Sequence, residues 1–367
     1  MTSPSGPDTG LPQLVELGFY GLAGHTESPR DLLDECRTAE ALGLGSVFVS
    51  ERFNVKEAAS LTGAAAAVTT ELGIATGVTN HNTRHPLVTA AWASTVHRLS
   101  EGRFALGIGR GFDFLFDAIG APRVTFAQME DVIGIWRRLW AGETIFGHDG
   151  PAGSYPYLSL GPDFHEDIPV LMAALGPKSM RFAGANCDGV ILHTFFSDET
   201  LARCVREIRS GAEQAGKDPA AVKVWSVLAT IADRDEEDQL RSVVGRLATY
   251  CQAYGDLLVG ANGWDPTPLE RFRGDEVVAS MTGAIDAIAS VDQLRHIATL
   301  IPAHWIAASA VGTAQHCALR ISEQFDAGAD GVICHGATPA QLTSTLVEYR
   351  QRREVARFGG RRATPGR

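Results

Sequence analysis

The chain has 367 residues, 45% of them hydrophobic, and a net charge of −11 from 32 basic and 43 acidic side chains. An acidic surface repels phosphate backbones, which sets nucleic acid aside as a partner. No stretch approaches the roughly 18 consecutive apolar residues of a membrane-spanning helix.

Residues 1–12 are polar and rich in Pro, Gly and Ser, and read as a disordered segment without the apolar core of a signal peptide. Leu14–Leu22 is an apolar strand. Ser28-Pro29-Arg30-Asp31 opens a helix that shows one apolar face, from Leu32 to Leu42, and stops at Gly43. Ser46–Ser50 is the second strand, with Glu51-Arg52-Phe53 just past its end. Leu72–Val78, a run rich in branched residues, is the third. His85-Pro86 begins a helix that ends in the turn Ser100-Glu101-Gly102, and Arg103–Ile108 is the fourth strand. Strand, helix, strand at this spacing is a βαβ unit, which makes the two strands parallel.

Residues 113–167 read as an insertion holding an amphipathic helix (Val132, Ile135, Trp136, Leu139, Trp140) and a Gly/Pro/Tyr-rich stretch. Further strands follow at Ile168–Ala173, Asp188–His193, Val222–Ile231 and Gly331–His335. A second insertion, 232–302, opens with the acidic run Asp233–Asp238, read as a solvated loop and helix start, and ends in the helical-looking Ala279–Leu300. Arg352, Arg353, Arg357, Arg361, Arg362 and Arg367 give 352–367 the look of a basic, disordered tail. Eight strands alternating with helices favour an α/β fold of the (β/α)8 TIM-barrel type over a doubly wound sheet, although periodicity alone leaves both open. The length suits one barrel domain, 13–351, with insertions, since the usual barrel needs about 250 residues. Six cysteines stand without CxxC pairs or metal-type spacing. They suit a reducing cytoplasm and predict no metal site.

Pro86-Leu87, Ala90, Ser94-Thr95, Leu99-Ser100, Gly102-Arg103 and Leu106-Gly107-Ile108-Gly109 resemble the signature of the luciferase-like flavin and deazaflavin oxidoreductases. The resemblance runs from about Leu14 to Gln351 and implies a bacterial-luciferase-like TIM barrel. It also implies a homodimer, a flavin-type cofactor and a small-molecule substrate.

In such a barrel the chemistry gathers at the C-terminal ends of the strands. Those ends carry His25, Glu51, Arg52, Gly77, Val78, Asn80, His81, Gly109, Arg110, Gly111, Ala174, Leu175, Gly176, Pro177, His193 and His335. The turn Gly176-Pro177-Lys178-Ser179 joins a strand to a helix, and free helix N-terminal amides accept anions. The segment Ala173–Lys178 resembles the family's grip on the cofactor phosphate; an ordinary helix start is the other reading. Gly77-Val78 matches the place where relatives carry a non-proline cis peptide behind the flavin ring. Gly107-Ile108-Gly109-Arg110-Gly111 departs from the dinucleotide fingerprint, because Phe112 stands where the third glycine belongs.

The resemblance is strongest to the branch that uses the deazaflavin coenzyme F420, a two-electron hydride carrier; FMN, whose reduced form reacts with oxygen, is the alternative cofactor. Arg52, Arg84, Arg110, Lys178 and Arg181 form a possible cationic mouth for the F420 polyglutamate tail. The sugar-phosphate dehydrogenase of this branch has two glutamates where His25 and Phe112 stand here, and an acid-histidine pair where this chain has Glu51-Arg52. That departure argues against glucose 6-phosphate. Phe112, Phe114, Phe116, Phe195 and Phe196 suggest an apolar pocket, or else loop packing. His25 is the first choice for the proton-transfer group and His81 the second, with Glu51 bonding the ring or orienting a partner. An FMN-dependent monooxygenase and a non-catalytic cofactor-binding homologue are the competing functions.

Overall fold

The computed structural model describes residues 13–53 and 56–367; the N-terminal segment 1–12 lies outside them. Eight parallel strands close into a barrel: β1 (Leu14–Tyr20), β2 (Leu44–Val49), β3 (Gly73–Thr76), β4 (Phe104–Ile108), β5 (Val170–Ala173), β6 (Gly189–Ile191), β7 (Lys223–Ala232) and β8 (Gly331–His335). The order follows the sequence, and β8 pairs with β1 to complete the ring. The ring helices are α1 (Asp31–Ala41), α2 (Ala58–Val68), α3 (Pro86–Leu99), α4 (Phe126–Trp140), α5 (Pro177–Asn186), α6 (Asp198–Gln214), α7 (Ala314–Asp326) and α8 (Thr343–Arg352). All eight expected strands are present. Their unbroken apolar runs reflect burial on both faces, inside against the barrel axis and outside against helices.

The barrel interior has its own apolar cluster, distinct from the one between strands and helices. It contains Phe48, Ala75, Ala105, Leu171, Ile191, Trp225, Val227 and Ile333. Phe48 and Trp225 meet edge to face with ring centroids 5.0 Å apart. Each sits over a glycine: a Cβ on Gly18 would lie 2.7 Å from Phe48, and one on Gly331 would lie 2.3 Å from Trp225. Alternating large and absent side chains thus fill the axis, leaving no pore. Tyr20 and Val78 top this cluster and face the mouth.

Three expectations are corrected. The amphipathic helix within 113–167 is no insertion; it is α4, the ring helix after β4. Its tryptophans bind α3, Trp136 Nε1 donating to the Pro86 carbonyl at 3.1 Å and Trp140 Nε1 to Ala90 at 3.2 Å. The added pieces there are a short helix, Asp113–Ile119, and an antiparallel hairpin, Ile145–Gly150 with Gly153–Leu158. Ala279–Leu300 is not one helix but the end of one and two more, Ile285–Ile288 and Val291–Leu300.

The basic tail is not a free coil. Arg353 makes a two-pronged pair with Glu16 of β1, while Arg357 and Arg361 pair with Asp326 and Asp330. Beyond them the chain crosses the barrel floor. The Ala363 carbonyl accepts from Ser46 Oγ at 3.0 Å, and Thr364 Oγ1 donates to the Gly102 carbonyl at 3.1 Å. The Ala363 carbonyl lies so close to Gly73 that a Cβ there would be 1.7 Å from it.

Glu16 is fully buried and Arg353 is 8% exposed, and Tyr349 Oη also donates to Glu16 at 3.0 Å. Removing one member of such a pair strands a charge in the interior. Arg353→Met is therefore expected to lower unfolding free energy by about 3–5 kcal/mol, read from denaturant midpoints. Glu16→Gln with Arg353→Met together should recover a large part of the loss.

Candidate active site

The C-terminal strand ends meet at one mouth, and β3 to β5 build its first wall. The Gly77–Val78 peptide bond is cis, as the resemblance implied. Val78 packs against two glycines of β4 and the turn after it: added Cβ atoms would lie 3.4 Å from Val78 at Gly107 and 2.7 Å at Gly109. Gly109 therefore makes room for Val78, while Gly107 admits the Thr76 carbonyl, which would lie 1.9 Å from a Cβ there. Gly111 needs its glycine for a different reason, a φ of +70° against the buried ring of Phe116. Asn80 ties the two strand ends together, its Nδ2 donating to the Gly109 carbonyl at 2.8 Å.

At the end of β5, Ala174 and Leu175 lead into the turn before α5. Ser179 Oγ accepts from the Leu175 and Gly176 amides at 3.3 and 3.2 Å. Pro177 has no N–H, and the amides of Lys178 and Ser179 have no protein acceptor among the described residues. Gly176 has open space where a side chain would be, and Lys178 is exposed and unpaired among the described residues. Two free amides at a helix N-terminus, with an ammonium beside them, suit a phosphate. The Val78 face and this turn stand two strand spacings apart, about 10 Å.

Glu51 is 3% exposed, and both its oxygens are engaged. Oε1 accepts from the Ala58 amide at 3.0 Å; Oε2 accepts from Thr79 Oγ1 and Arg84 Nη2, both at 2.8 Å. It braces the ends of β2 and β3, and these bonds take up most of its acceptor capacity. His81 is buried in the turn His81–Thr83 with Nε2 lacking a partner among the described residues, and burial lowers its pKa to about 4. It therefore stays neutral, which weakens it as a proton carrier. His25 is 43% exposed and bonds Asp286 Oδ2 through Nε2 at 3.0 Å. It lines a cleft of about 490 Å³ at the rim, between α1 and the turn after β8.

The expected cationic mouth is largely neutralised. Arg84 pairs with Glu51 and Glu57, Arg110 with Asp113, and Arg181 with Glu207. Arg110 also donates to the Val124 carbonyl at 2.9 Å, so it faces the loop before α4. Of the five phenylalanines, Phe116, Phe195 and Phe196 are buried and Phe114 is exposed. Phe112 stacks on Tyr254 with centroids 4.8 Å apart.

Tyr254 belongs to a part of the mouth that the sequence reading passed over. The helix Arg246–Asn262, from the second insertion, kinks at Tyr254 (φ −154°, ψ 37°). There the phenol donates to His193 Nε2 at 3.0 Å. His193 Nδ1 lies 2.7 Å from the Thr194 carbonyl, so the proton sits on Nδ1 and leaves Nε2 as acceptor. Burial lowers the His193 pKa to about 4 and raises that of Tyr254 well above 10. Tyr250 stacks beside Tyr254 and meets His193 edge-on, and Arg246 pairs with Asp286 at 2.6 Å. The signal was available in the sequence: Arg246, Tyr250 and Tyr254 recur every four residues, which puts them on one helix face.

The family model described as "Luciferase-like monooxygenase" matches residues 13–355. The chain belongs to that family. Among its relatives, a 5,10-methylenetetrahydromethanopterin reductase from Methanolobus tindarius is 26% identical over 302 residues, 81% of this chain and 87% of that one. An F420-dependent glucose-6-phosphate dehydrogenase from Beutenbergia cavernae is 32% identical over 191 residues, 48% of this chain and 56% of that one. The coenzyme F420-dependent tetrahydromethanopterin reductase of Methanopyrus kandleri superposes with a TM-score of 0.75 at 20% identity, covering 92% of this chain and 99% of that one. A type II Baeyer-Villiger monooxygenase from Pseudomonas putida, in complex with FMN, has the same fold at a TM-score of 0.61 and 18% identity, covering 96% and 98%.

Two histidines of this family member's mouth are held neutral. His81 and His193 have pKa values of about 4 in the folded chain against about 6.5 for free histidine. The unfolded chain then binds more protons between these values, so stability should fall as pH drops from about 6.5 toward 4. His81→Gln should flatten that fall, measured as urea midpoints across the pH range.

Proposed function

We propose that this protein is an oxidoreductase that transfers hydride between coenzyme F420 and a small organic substrate held at the barrel mouth. The observation that carries the reading is the pairing of an apolar face at Gly77–Val78 with the open, amide-rich turn at Gly176–Ser179 about two strand spacings away. When bound, the deazaflavin supplies two-electron hydride chemistry at its C5.

The chain's own residues have distinct tasks in this reading. Val78 backs the ring, with Gly109 making room for it. The Lys178 and Ser179 amides and the Lys178 ammonium hold the phosphate, with Ala174, Leu175, Gly176 and Pro177 shaping the turn. Glu51 positions the ends of β2 and β3 and does not transfer a proton. Tyr254 holds a proton on its hydroxyl, aimed at His193 Nε2, and stacks with Phe112 across the mouth. His25, with Nε2 bonded to Asp286, lies in the rim cleft rather than among these aromatics. The substrate lies against the aromatic side of the mouth, under Phe112, Tyr250 and Tyr254. The resemblance further carries a cytoplasmic homodimer, which sedimentation of the purified protein would check.

FMN is the second reading, supported by the FMN-bound monooxygenase that shares the fold. Protein purified from a host that makes both cofactors decides between them. Released deazaflavin, identified by mass and fluorescence, is the expected result; FMN would move the reading to monooxygenation. Lys178→Ala should weaken F420 binding by roughly tenfold, the worth of about one charge-assisted hydrogen bond. An unchanged affinity would remove the turn from the phosphate site.

A further inference from the structure

A second electropositive site lies across the mouth from the phosphate turn, with more cations than carboxylates. Arg52 and Lys56 are drawn together by two backbone bonds, Arg52 N to the Lys56 carbonyl at 2.8 Å and Lys56 N to the Arg52 carbonyl at 2.9 Å. The Lys56 side chain is buried, and its ammonium donates to the carbonyls of Gly21 and Leu22 at the end of β1. Neither Arg52 nor Lys56 has a carboxylate within ion-pair distance among the described residues. Arg246 reaches the same place from the insertion helix. Its partner Asp286 is 2% exposed and is shared with His25 and with Thr249, whose Oγ1 lies 2.9 Å from Asp286 Oδ1.

Three cations therefore face two carboxylates, Asp286 and Glu35. Glu35, beside Lys56, also accepts from the Leu22 amide at 2.7 Å, a neutral donor that leaves its charge facing Lys56. The neighbours register the excess. Lys56 is pushed down to about 8 by burial and then by Arg52, and His335 is held well below its ordinary value by burial and then by Arg246 and Arg52. Arg52 as a residue is exposed, while its guanidinium end is crowded by Arg246, Tyr250 and Tyr254. A crowded guanidinium on an exposed residue, beside a buried second one whose side chain is 9% exposed, is an arrangement that binds carboxylate or phosphate oxygens in pairs.

We infer that the substrate carries an anionic group, a carboxylate or a phosphate, that docks against Arg52 and Arg246 beside Tyr250. The inference rests on the reading of this mouth as the substrate site of an F420-dependent oxidoreductase. It adds a requirement to that reading: the reacting carbon and the anion belong to one small molecule, because the cations stand at the ends of β1 and β2 and the ring-backing Val78 stands just past the end of the adjacent β3.

Inorganic phosphate and acetate serve as probes, titrated at constant ionic strength with chloride as the control and thermal midpoint as the readout. A saturable rise in midpoint with phosphate, acetate or both, absent with chloride, is expected. Phosphate alone points to a phosphoryl group and acetate alone to a carboxylate. Arg52→Gln should weaken the response at least tenfold, and Arg52→Lys, which keeps the charge but not the paired donors, should retain only part of it. Lys178→Ala, at the other anion site, should leave the acetate response and part of the phosphate response intact.

A response that matches chloride, or that survives Arg52→Gln and vanishes with Lys178→Ala, overturns the inference. F420 fluorescence titrations on the same proteins separate the two readings. Absence of F420 binding with an Arg52-dependent anion response defeats the cofactor reading and leaves the anion site standing. F420 binding without that response does the reverse.

Discussion

The filling of the barrel axis is the constraint on which the site depends. Phe48 and Trp225 occupy the middle of the ring because Gly18 and Gly331 give up their side chains to admit them. Close packing of this kind tolerates neither a void nor an extra methylene without penalty. It gives the mouth a solid base, topped by Tyr20 and Val78, on which a flat ring has something rigid to lie. A narrower or emptier axis would let Val78 sink, and Gly109 would then have nothing to accommodate. The glycine-rich strand end, the backbone at Gly77–Val78 and the aromatic plug are one packing solution.

Charge is arranged around that base in two opposed senses. The outside of the molecule is acidic, with a net charge of −11. At the mouth the guanidinium and ammonium groups outnumber the carboxylates that face them. An acidic exterior with a positive opening focuses small anions toward the opening and discourages polyanions from coating the surface. Burial keeps His193 and His335 uncharged, with Arg246 and Arg52 adding to the effect at His335, and burial also keeps the proton on Tyr254. The mouth is therefore rich in fixed hydrogen-bond donors.

How much of this the sequence disclosed depends on how local each signal is. The eight strands were legible because each is a short apolar run buried on both faces, closed by turn residues within a few positions. The helix-start chemistry of Gly176–Ser179 was legible for the same reason. The arginine tail was not, since Arg353, Arg357 and Arg361 look like solvated charge until Glu16, Asp326 and Asp330 are brought beside them by the fold. Glu51 was placed correctly at the mouth, but its partners Thr79 and Arg84 come from the next βα unit, so its bracing role was hidden. The Arg246–Tyr250–Tyr254 face was readable from spacing alone. The insertion around it opens with a run of acids, and that polar composition masks the period.

The ring closes between its first strand and its last, and the contacts that seal it span most of the chain: 337 residues from Glu16 to Arg353, and 317 from Ser46 to Ala363. Contacts of such separation form late in folding, because the intervening loop must be ordered first. Until then β1 is an open sheet edge of seven residues, five of them buried and one of those the carboxylate of Glu16. A charge at an inward position is one of the devices by which an unpaired edge resists joining a strand from another molecule. Before Arg353 arrives, Glu16 is thus a guard on that edge, and the same residue becomes a structural partner only once the chain has come full circle.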